Sequence, residues 1–573
     1  NLLNGLFVDR QGCYALRSSY ARFIGQSDTF ARVLYDSKRT ILATSLSSEL
    51  YTLSHRLDRI SEQHRFSRDF TRLSLYRGLR EVVACFPIYR TYVRPGINEV
   101  RDEDRRRILA AVRTAKRRNP AMSATFFDFI ASVLLLEDPA GLSEESISQR
   151  REFVLKFQQI TPPVTAKGLE DTSFYRNYPL ASLNEVGGDP TVPGTLVEAF
   201  HRRVAARLAD WPHDMSTTGT HDTKRGEDFR ARLNVLSEVP EEWEAAIWRW
   251  QTMNAAARTE LDGAHVPDAN EEYLIYQTLV GTWPVGALDD DARRQYMERI
   301  VAYLDKALRE AKVHTSWLNP YEEYDQAVAA FIRKILVDWQ SPFVVDMEGF
   351  SRSIAHAGFV NSLAQTLIKI CVPGVPDFYQ GVEFWDFNLV DPDNRRAVDF
   401  AARREALTWL DAQAREDLPR LSADLIARWP DPRLKLLLLW RALCFRREQV
   451  ELFRGDYIPL VAEGPREANL CAFARAAGES WAVCITPRLA RPAWGNGQNA
   501  GGQDVVSPDA PRTVADWWRQ TSLLLPPGAP RQWQHVITGQ RCQARSGPDG
   551  ALALDLDAVF ASFPVALLHS AVS

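Results

Sequence analysis

Met215-Ser-Thr-Thr-Gly-Thr-His-Asp-Thr-Lys-Arg225 decides the reading of this sequence. Small and β-compatible residues lead into His221-Asp222, and Thr223-Lys224-Arg225 follows. A strand ending in a carboxylate flanked by an imidazole and two cations suits the mouth of a barrel, where the loops after the strands carry the chemistry. Such a carboxylate can face positive charge developing on a sugar ring. The neighbouring cations favour its ionised form, and the imidazole can donate to a hydroxyl. The spacing alone also fits a salt-bridged turn, and that alternative stays open. His213, Asp214, His221 and Asp222 lack the spacing of an HExxH or clustered-cysteine metal site. No GxSxG nucleophile elbow occurs.

Two more segments have this texture. Upstream, Thr161-Pro-Pro-Val-Thr-Ala-Lys-Gly-Leu-Glu-Asp-Thr-Ser-Phe-Tyr-Arg176 is followed by Leu183-Asn-Glu-Val-Gly-Gly-Asp-Pro190. Lys167, Glu170, Asp171, Tyr175 and Arg176 mix ions, hydroxyls and rings. Saccharide sites use that mixture, and a polar loop without a ligand has the same composition. Downstream, Pro373-Gly-Val-Pro-Asp-Phe-Tyr-Gln-Gly-Val-Glu-Phe-Trp-Asp386 runs on to Leu389-Val-Asp-Pro-Asp-Asn-Arg-Arg396. Pro and Gly punctuate a short strand there, and the exit is aromatic and acidic. An Asx-turn loop beside a core strand reads the same way.

Around these segments the chain reads as helical. Leu50, Leu53, Leu57 and Ile60 recur at steps of one helical stripe. Residues 102–118 are Arg-rich around Ile108, Leu109 and Val112, an exposed amphipathic helix with a solvated basic face. Phe126, Phe127, Phe129 and Ile130 begin another apolar stretch. From 158 to 230 the helical period gives way to Gly, Pro, Thr, Asn and Asp, which predicts loops on a rigid scaffold. A second helical block spans 240 to 370 and stops before Pro373-Gly-Val-Pro376. Leu434 to Phe445 predicts a helix. Beyond Arg454-Gly-Asp456, the runs 481–486, 521–525, 534–538 and 564–568 are strand-like. The cluster Gly495-Asn-Gly-Gln-Asn-Ala-Gly-Gly502 reads as a hairpin loop, since no strand leads into it and no GK[ST] follows.

At 573 residues the chain is too long for one ordinary domain. Its 45% apolar and 25% charged residues exclude disorder, collagen and coiled coil. A net charge of −4 gives no reason to expect nucleic acid as partner. Ten of the 69 basic residues are lysine, so each lysine near a candidate site stands out. The seven cysteines (13, 85, 371, 444, 471, 484, 542) form no CxxC pair. That argues against a disulfide framework or structural zinc and for a reducing cytoplasm. No apolar run reaches the roughly 18–20 residues of a membrane helix. The chain begins at Asn1 without a basic start or signal core, so a processed start or a piece of a longer protein is expected.

Together the three segments resemble a known family. Thr-His-Asp-Thr-Lys-Arg, Ala-Lys-Gly-Leu-Glu-Asp-Thr-Ser-Phe-Tyr-Arg, Leu-Asn-Glu-Val-Gly-Gly and Pro-Gly-Val-Pro-Asp-Phe-Tyr-Gln-Gly look like the maltooligosyl trehalose synthases, of the α-amylase superfamily. Glu272-Tyr-Leu-Ile-Tyr-Gln-Thr-Leu-Val-Gly281 and His314-Thr-Ser-Trp-Leu-Asn-Pro320 also fit that family and are not general amylase motifs. The resemblance runs from Asn4-Gly-Leu-Phe-Val-Asp9 into the C-terminal region.

The resemblance implies an α/β fold: part of a (β/α)8 barrel, strands six to eight, with large helical insertions and a C-terminal all-β domain. It divides the chain into a helical insertion (1–155), a barrel segment with catalytic loops (156–235), a second helical insertion (236–345), the last barrel strand with flanking helices (346–430) and the β domain (431–573). The implied reaction turns the reducing-end α-1,4 bond of a maltooligosaccharide into an α,α-1,1 bond, with anomeric configuration retained through a covalent glycosyl–enzyme intermediate. Asp222 matches the superfamily's third acid, which orients sugar hydroxyls and favours the distorted transition state. His221 matches the histidine before it. Lys224 and Lys167 match lysines near the reducing-end glucose, and Arg225 joins the implied substrate-binding residues. The superfamily's nucleophile Asp and acid/base Glu lie upstream of the Asn-Gly-Leu-Phe-Val-Asp segment. The expected partners are therefore a maltooligosaccharide and an N-terminal segment completing the barrel, with no nucleic acid, membrane, metal or cofactor. An α-glucan-binding accessory chain and an amylase-type hydrolase remain as alternatives.

Overall fold

The computed structural model describes residues 1–573 except 27, 64, 95, 97–98, 495–513, 548–549 and 571–573. The glycine-rich stretch 495–502 lies outside the described residues. The chain forms two compact units. One comprises 1–26, 178–306 and 322–573; the other comprises 27–177 and 307–321. Residues 1–26, expected with the first helical segment, thus pack elsewhere. Leu6 and Phe7 are buried with Phe200, Leu363 and Leu367, and the Tyr20 ring lies 4.9 Å from that of Tyr273.

The smaller unit is helical. Its helices Phe30–Ala43, Ser47–Glu62, Arg72–Ala84, Asp102–Arg118, Ala124–Leu134 and Glu144–Thr165 enclose a core that includes Leu53, Leu57, Leu79, Ile108, Phe127 and Phe153. The expected stripe Leu50, Leu53, Leu57 and Ile60 is buried throughout. Side-chain caps start several of these helices: the oxygens of Thr29, Thr71, Ser123 and Ser143 each accept a backbone N–H of the first turn. Helix Asp102–Arg118 has three acids in its first turn and three bases in its last, the order the helix dipole favours.

One boundary differs from expectation. Loops are expected from 158, yet the helix continues through Pro162-Pro163 to Thr165 and passes into a π-turn, Ala166–Glu170. The Asp171 N–H closes that wider turn on the Ala166 carbonyl. A second helix, Val197–Asp210, also interrupts the expected loop region.

The larger unit begins its strands with β1 (Met215–Ser216), the hairpin β2 (Thr259–Leu261) and β3 (Ala264–Val266), and β4 (Val375–Pro376). β1 and β4 lie parallel, with Met215 opposite Val375 and Ser216 opposite Pro376. Among the described residues this is the single parallel pair, where the resemblance implies three strands. Gly374 sets up β4 at φ 104°; a Cβ there would stand 2.5 Å from the Asp214 carbonyl. The 30-residue helix Pro342–Cys371 delivers the chain to that turn. It starts with a Ser341 cap and a proline in its first turn, and it is buried almost continuously from Ala357 onward.

Ten more strands follow: β5 (Asp456–Pro459), β6 (Ala462–Glu463), β7 (Leu470–Ala477), β8 (Ser480–Pro487), β9 (Ser522–Leu524), β10 (Gln532–His535), β11 (Arg541–Gln543), β12 (Arg545–Ser546), β13 (Leu552–Asp555) and β14 (Ala566–Ser570). They form an antiparallel six-stranded sheet, β11-β10-β14-β8-β7-β5, and a four-stranded one, β12-β13-β9-β6. β7 and β8 are apolar without alternation because both faces are covered. Cys471, Phe473, Ala482 and Cys484 pack with Leu367 and Leu437. Ala472, Ala474, Val483 and Ile485 pack with Trp518, Leu523 and Leu554. The helix Arg433–Glu448 brings Leu437 and Leu438 to the first of these faces.

Candidate functional site

β1 ends at Ser216, and the chain turns through Thr217-Thr-Gly-Thr220 on its own hydroxyls. Thr217 Oγ1 donates to the Gly219 carbonyl at 2.6 Å. The N–H of Thr220 donates to Thr223 Oγ1 at 2.6 Å, and that of Asp222 to Thr220 Oγ1 at 3.2 Å. These bonds hold His221 and Asp222 at the outside of the turn, where both side chains are exposed. Asn394 Nδ2 donates to the His221 carbonyl at 3.1 Å, tying the loop to the segment after β4.

The next three residues turn inward. Lys224 is 4% exposed and Arg225 1%. The Arg225 guanidinium donates to the Tyr303 hydroxyl at 3.0 Å and to the Ala181 carbonyl at 3.4 Å. Arg225 also makes a β-bridge with Leu389, and the Gly226 N–H donates to the Asn388 carbonyl at 2.8 Å. The motif is therefore split between an outward His-Asp pair and an inward Thr-Lys-Arg anchor, and Arg225 packs as part of the scaffold.

Glu185, from Leu183-Asn-Glu-Val-Gly-Gly, is the clamp. Its carboxylate accepts from the N–H groups of Lys224 at 2.9 Å, Arg225 at 3.2 Å and its neighbour Val186 at 2.9 Å. Arg230 Nε lies 3.9 Å from the same carboxylate and donates to the Arg225 carbonyl at 3.0 Å. The other Arg230 arm donates to the Thr218 carbonyl. The sequence shows Glu185 only as part of a motif, because its partners lie 39 and 40 residues away.

Beneath the loop sits a buried ionic cluster. Lys435 Nζ donates to Glu227 Oε1 at 2.8 Å and to the Asp228 carboxylate at 2.8 and 3.0 Å. Lys369 Nζ donates to Thr218 Oγ1 at 2.7 Å and lies 3.6 Å from Glu227. Asp228 also accepts from Ser362 Oγ and from the Asp386 N–H, the latter at 2.7 Å. Two buried cations thus balance two buried carboxylates. Burial pushes the Lys435 ammonium down, but Asp228 and Glu227 outweigh it and hold it above the usual lysine range. Burial likewise opposes ionisation of Glu227, and Lys435 and Lys369 overcome it, so that carboxyl lies well below the usual range. Lys369, with fewer partners, is lowered by burial. Lys435 was legible as an oddity: it is the one cation inside the run Leu434 to Leu439.

Lys167 belongs to the smaller unit. It lies in the π-turn, 60% exposed, with Nζ 2.6 Å from Asp171 Oδ2 one turn on. Thr172 Oγ1 and Ser173 Oγ cap the Lys167 and Gly168 carbonyls at 2.8 and 2.6 Å. Gly168 is required there, since a Cβ would meet Lys38 Cγ at 2.7 Å.

A cavity of about 450 Å³ adjoins the loop in the larger unit. Thr217, Thr218, Thr220, Glu185, Arg230 and Lys369 are among its lining residues. Met215 and Val375, on the paired strands, are 65% and 49% exposed.

No family model matches this chain. It is 35% identical over 424 residues to two Mycobacterium tuberculosis proteins, of strains CDC 1551 and H37Rv, that carry the name maltooligosyl trehalose synthase. The match takes in 74% of this chain and 46% of each relative. The solved structure of maltooligosyltrehalose synthase from Arthrobacter ramosus superposes with a TM-score of 0.75 at 29% identity, covering 99% of this chain and 62% of that one. A glycosyltrehalose synthase, DSM5389, gives a TM-score of 0.68 at 27% identity over all of this chain and 60% of its own. The chain is a relative of the maltooligosyl trehalose synthases. It spans about half the length of the curated synthases it matches, and it shares with the solved synthases an amylase-like fold, mostly helical with a β part. No described helix is long and apolar enough to cross a membrane.

Proposed function

We propose that this chain takes part in intramolecular transglucosylation, converting the reducing-end α-1,4 bond of a maltooligosaccharide into an α,α-1,1 bond and so making a maltooligosyl trehalose. The observation that carries the reading is the split motif. A strand end with a parallel neighbour presents His221 and Asp222 outward, while the residues after them are anchored by Glu185. This belongs to a chain whose relatives are named for that synthesis.

In this reading Asp222 holds sugar hydroxyls and faces the oxocarbenium-like charge of the transition state. His221 donates to a hydroxyl of the same ring. Lys224 and Lys167 retain the freed reducing-end glucose until it attacks through its anomeric hydroxyl ahead of water. Arg225, buried on Tyr303 and Ala181, supports the loop and does not contact sugar.

We take β1 and β4 as adjacent strands of a (β/α)8 barrel, and residues 431–573 as a β domain led by the helix Arg433–Glu448, with three shorter helices Val450–Arg454, Val514–Trp518 and Leu556–Val559 beside its sheets. A barrel fills its interior only when eight strands close. Exposed Met215 and Val375 and the cavity beside β1 suit a further barrel segment as partner. That segment would carry the nucleophile and the acid/base. Seven free cysteines suit a reducing cytoplasm.

The test is formation of trehalosyl product from maltopentaose by the chain joined to a barrel-completing segment of a relative. Activity is expected from the joined protein and should fall about 10²–10³-fold with Asp222→Asn, the loss typical of a preorganised transition-state contact. Near-full activity of the Asn protein, or hydrolysis to glucose as the main reaction, would refute the reading.

A further inference from the structure

A second cavity, of about 310 Å³, lies in the larger unit and shares no lining residue with the loop after β1. Three indoles line it: Trp283, Trp339 and Trp429. Trp283 is buried at 4% exposure, and the other two are half-buried. Each is braced by the protein. The Trp283 and Trp339 rings lie 5.5 Å apart, Arg293 lies over Trp339 at 5.2 Å, and His356 stacks on Trp429 at 5.0 Å with the planes 7° apart. Braced rings lose little freedom when a ligand lands on them.

The polar groups in this wall are under-used. Ser351 is 2% exposed, and its hydroxyl donates only to the Met347 thioether at 3.8 Å, a poor acceptor. Arg293 Nε is buried without a hydrogen-bond partner. A buried donor left this way carries a desolvation cost that a ligand oxygen would recover. Arg352 and Glu348, paired with each other, add donors and acceptors to the wall.

We propose that this cavity is a second saccharide site, taking glucosyl units of an α-1,4-linked glucan. A pyranose has an apolar C–H face that lies on an indole, and a rim of hydroxyls that both donate and accept. Three indoles with the Ser351 hydroxyl, the Arg293 and Arg352 guanidinium groups and the Glu348 carboxylate match both features. The volume sits at the lower end of the range for small-ligand sites, about 300 Å³, so one or two sugar rings are held and the rest of the glucan runs outside. The choice of an α-glucan rests on the function proposed above; the saccharide class rests on the cavity.

Calorimetric titration of the full 573-residue chain with maltoheptaose tests this. Binding is expected in the wild-type chain. Trp339→Ala should weaken it at least ten-fold, Trp339→Phe by less, and Ser351→Val several-fold with native circular dichroism. Unchanged affinity in Trp339→Ala and Ser351→Val overturns the proposal. So does absence of binding in the wild type, or displacement of the glucan by inorganic phosphate at the arginines. Binding through Trp339 by a joined protein that forms no trehalosyl product keeps this site and removes the transglucosylation.

Discussion

The loop after β1 and the C-terminal sheets solve the same problem by opposite means. β7 and β8 pair over eight residues, and each strand is buried on both faces, so ladder and packing fix every side chain. β1 and β4 share only two residue pairs. What holds the turn with His221 and Asp222 is charge: Glu185 on three N–H groups, Arg230 on two carbonyls, and Lys369 and Lys435 on the carboxylates below. A ladder leaves no backbone free to meet a ligand. An ion-clamped turn can leave two side chains exposed and still hold them in place.

The largest effect should come from the cluster. Lys435→Met leaves Glu227 and Asp228 buried with one cation between them. Breaking a buried pair from one side costs about 3–5 kcal/mol. Urea unfolding should show that loss, and a cost under about 1 kcal/mol would mean that charge does not hold this region. Glu185→Gln comes next. The amide keeps one acceptor oxygen and places an NH2 against backbone donors, so a loss of about 1.5–3 kcal/mol is expected by the same measurement. The joined protein should lose turnover as the loop loosens; full stability and full activity together would break the assignment of Glu185 as clamp.

The sheet side of the comparison has a pH signature of its own. His535 in β10 accepts the Ile537 N–H on Nδ1 at 3.1 Å, so its proton is on Nε2, 3.2 Å from the Val565 carbonyl. Burial pushes the ring down to about 4 from 6.5. The folded ring stays neutral while the unfolded chain takes up a proton below pH 6.5. Its contribution to stability is therefore present above 6.5 and lost as pH falls towards 4, by about 2 kcal/mol at pH 5. Comparing pH 7 with pH 5, His535→Gln should lose less stability than wild type by that amount. Equal losses would show that the ring titrates normally.

These contrasts also explain what could be read in advance. The stripe Leu50, Leu53, Leu57 and Ile60 and the helix at 102–118 were legible because a helix repeats a local pattern. The strands near 481–486 and 521–525 were legible as short apolar runs between turns. The helix through Pro162-Pro163 was not, because the π-turn that receives it has no local signature. Arg225 looked like a partner for substrate beside Lys224. Only the distant carboxylate of Glu185 and the hydroxyl of Tyr303 decide that it faces in. Glu185 and Lys435 act over 39 and 207 residues, and sequence spacing says nothing at that range.

Lys167 gives the smallest structural effect and the sharpest functional one. Its ammonium is 60% exposed and pairs with Asp171 one helical turn away. Such pairs contribute about 0.3–0.5 kcal/mol, so Lys167→Ala should shift the unfolding midpoint very little. At that exposure a ligand can reach the ammonium. If Lys167 lengthens the residence of the freed glucose, its removal lets water intercept the glycosyl intermediate more often. The joined protein should then release more glucose per trehalosyl product formed, with total bond cleavage changed less than the ratio. Lys224→Ala tests the same idea from a buried position, where a fold penalty accompanies any change in ratio. A Lys167→Ala protein with an unchanged product ratio and only a slower rate would remove the lysine from product control. The turn around His221 and Asp222 would then be left to partition glucose by shape alone.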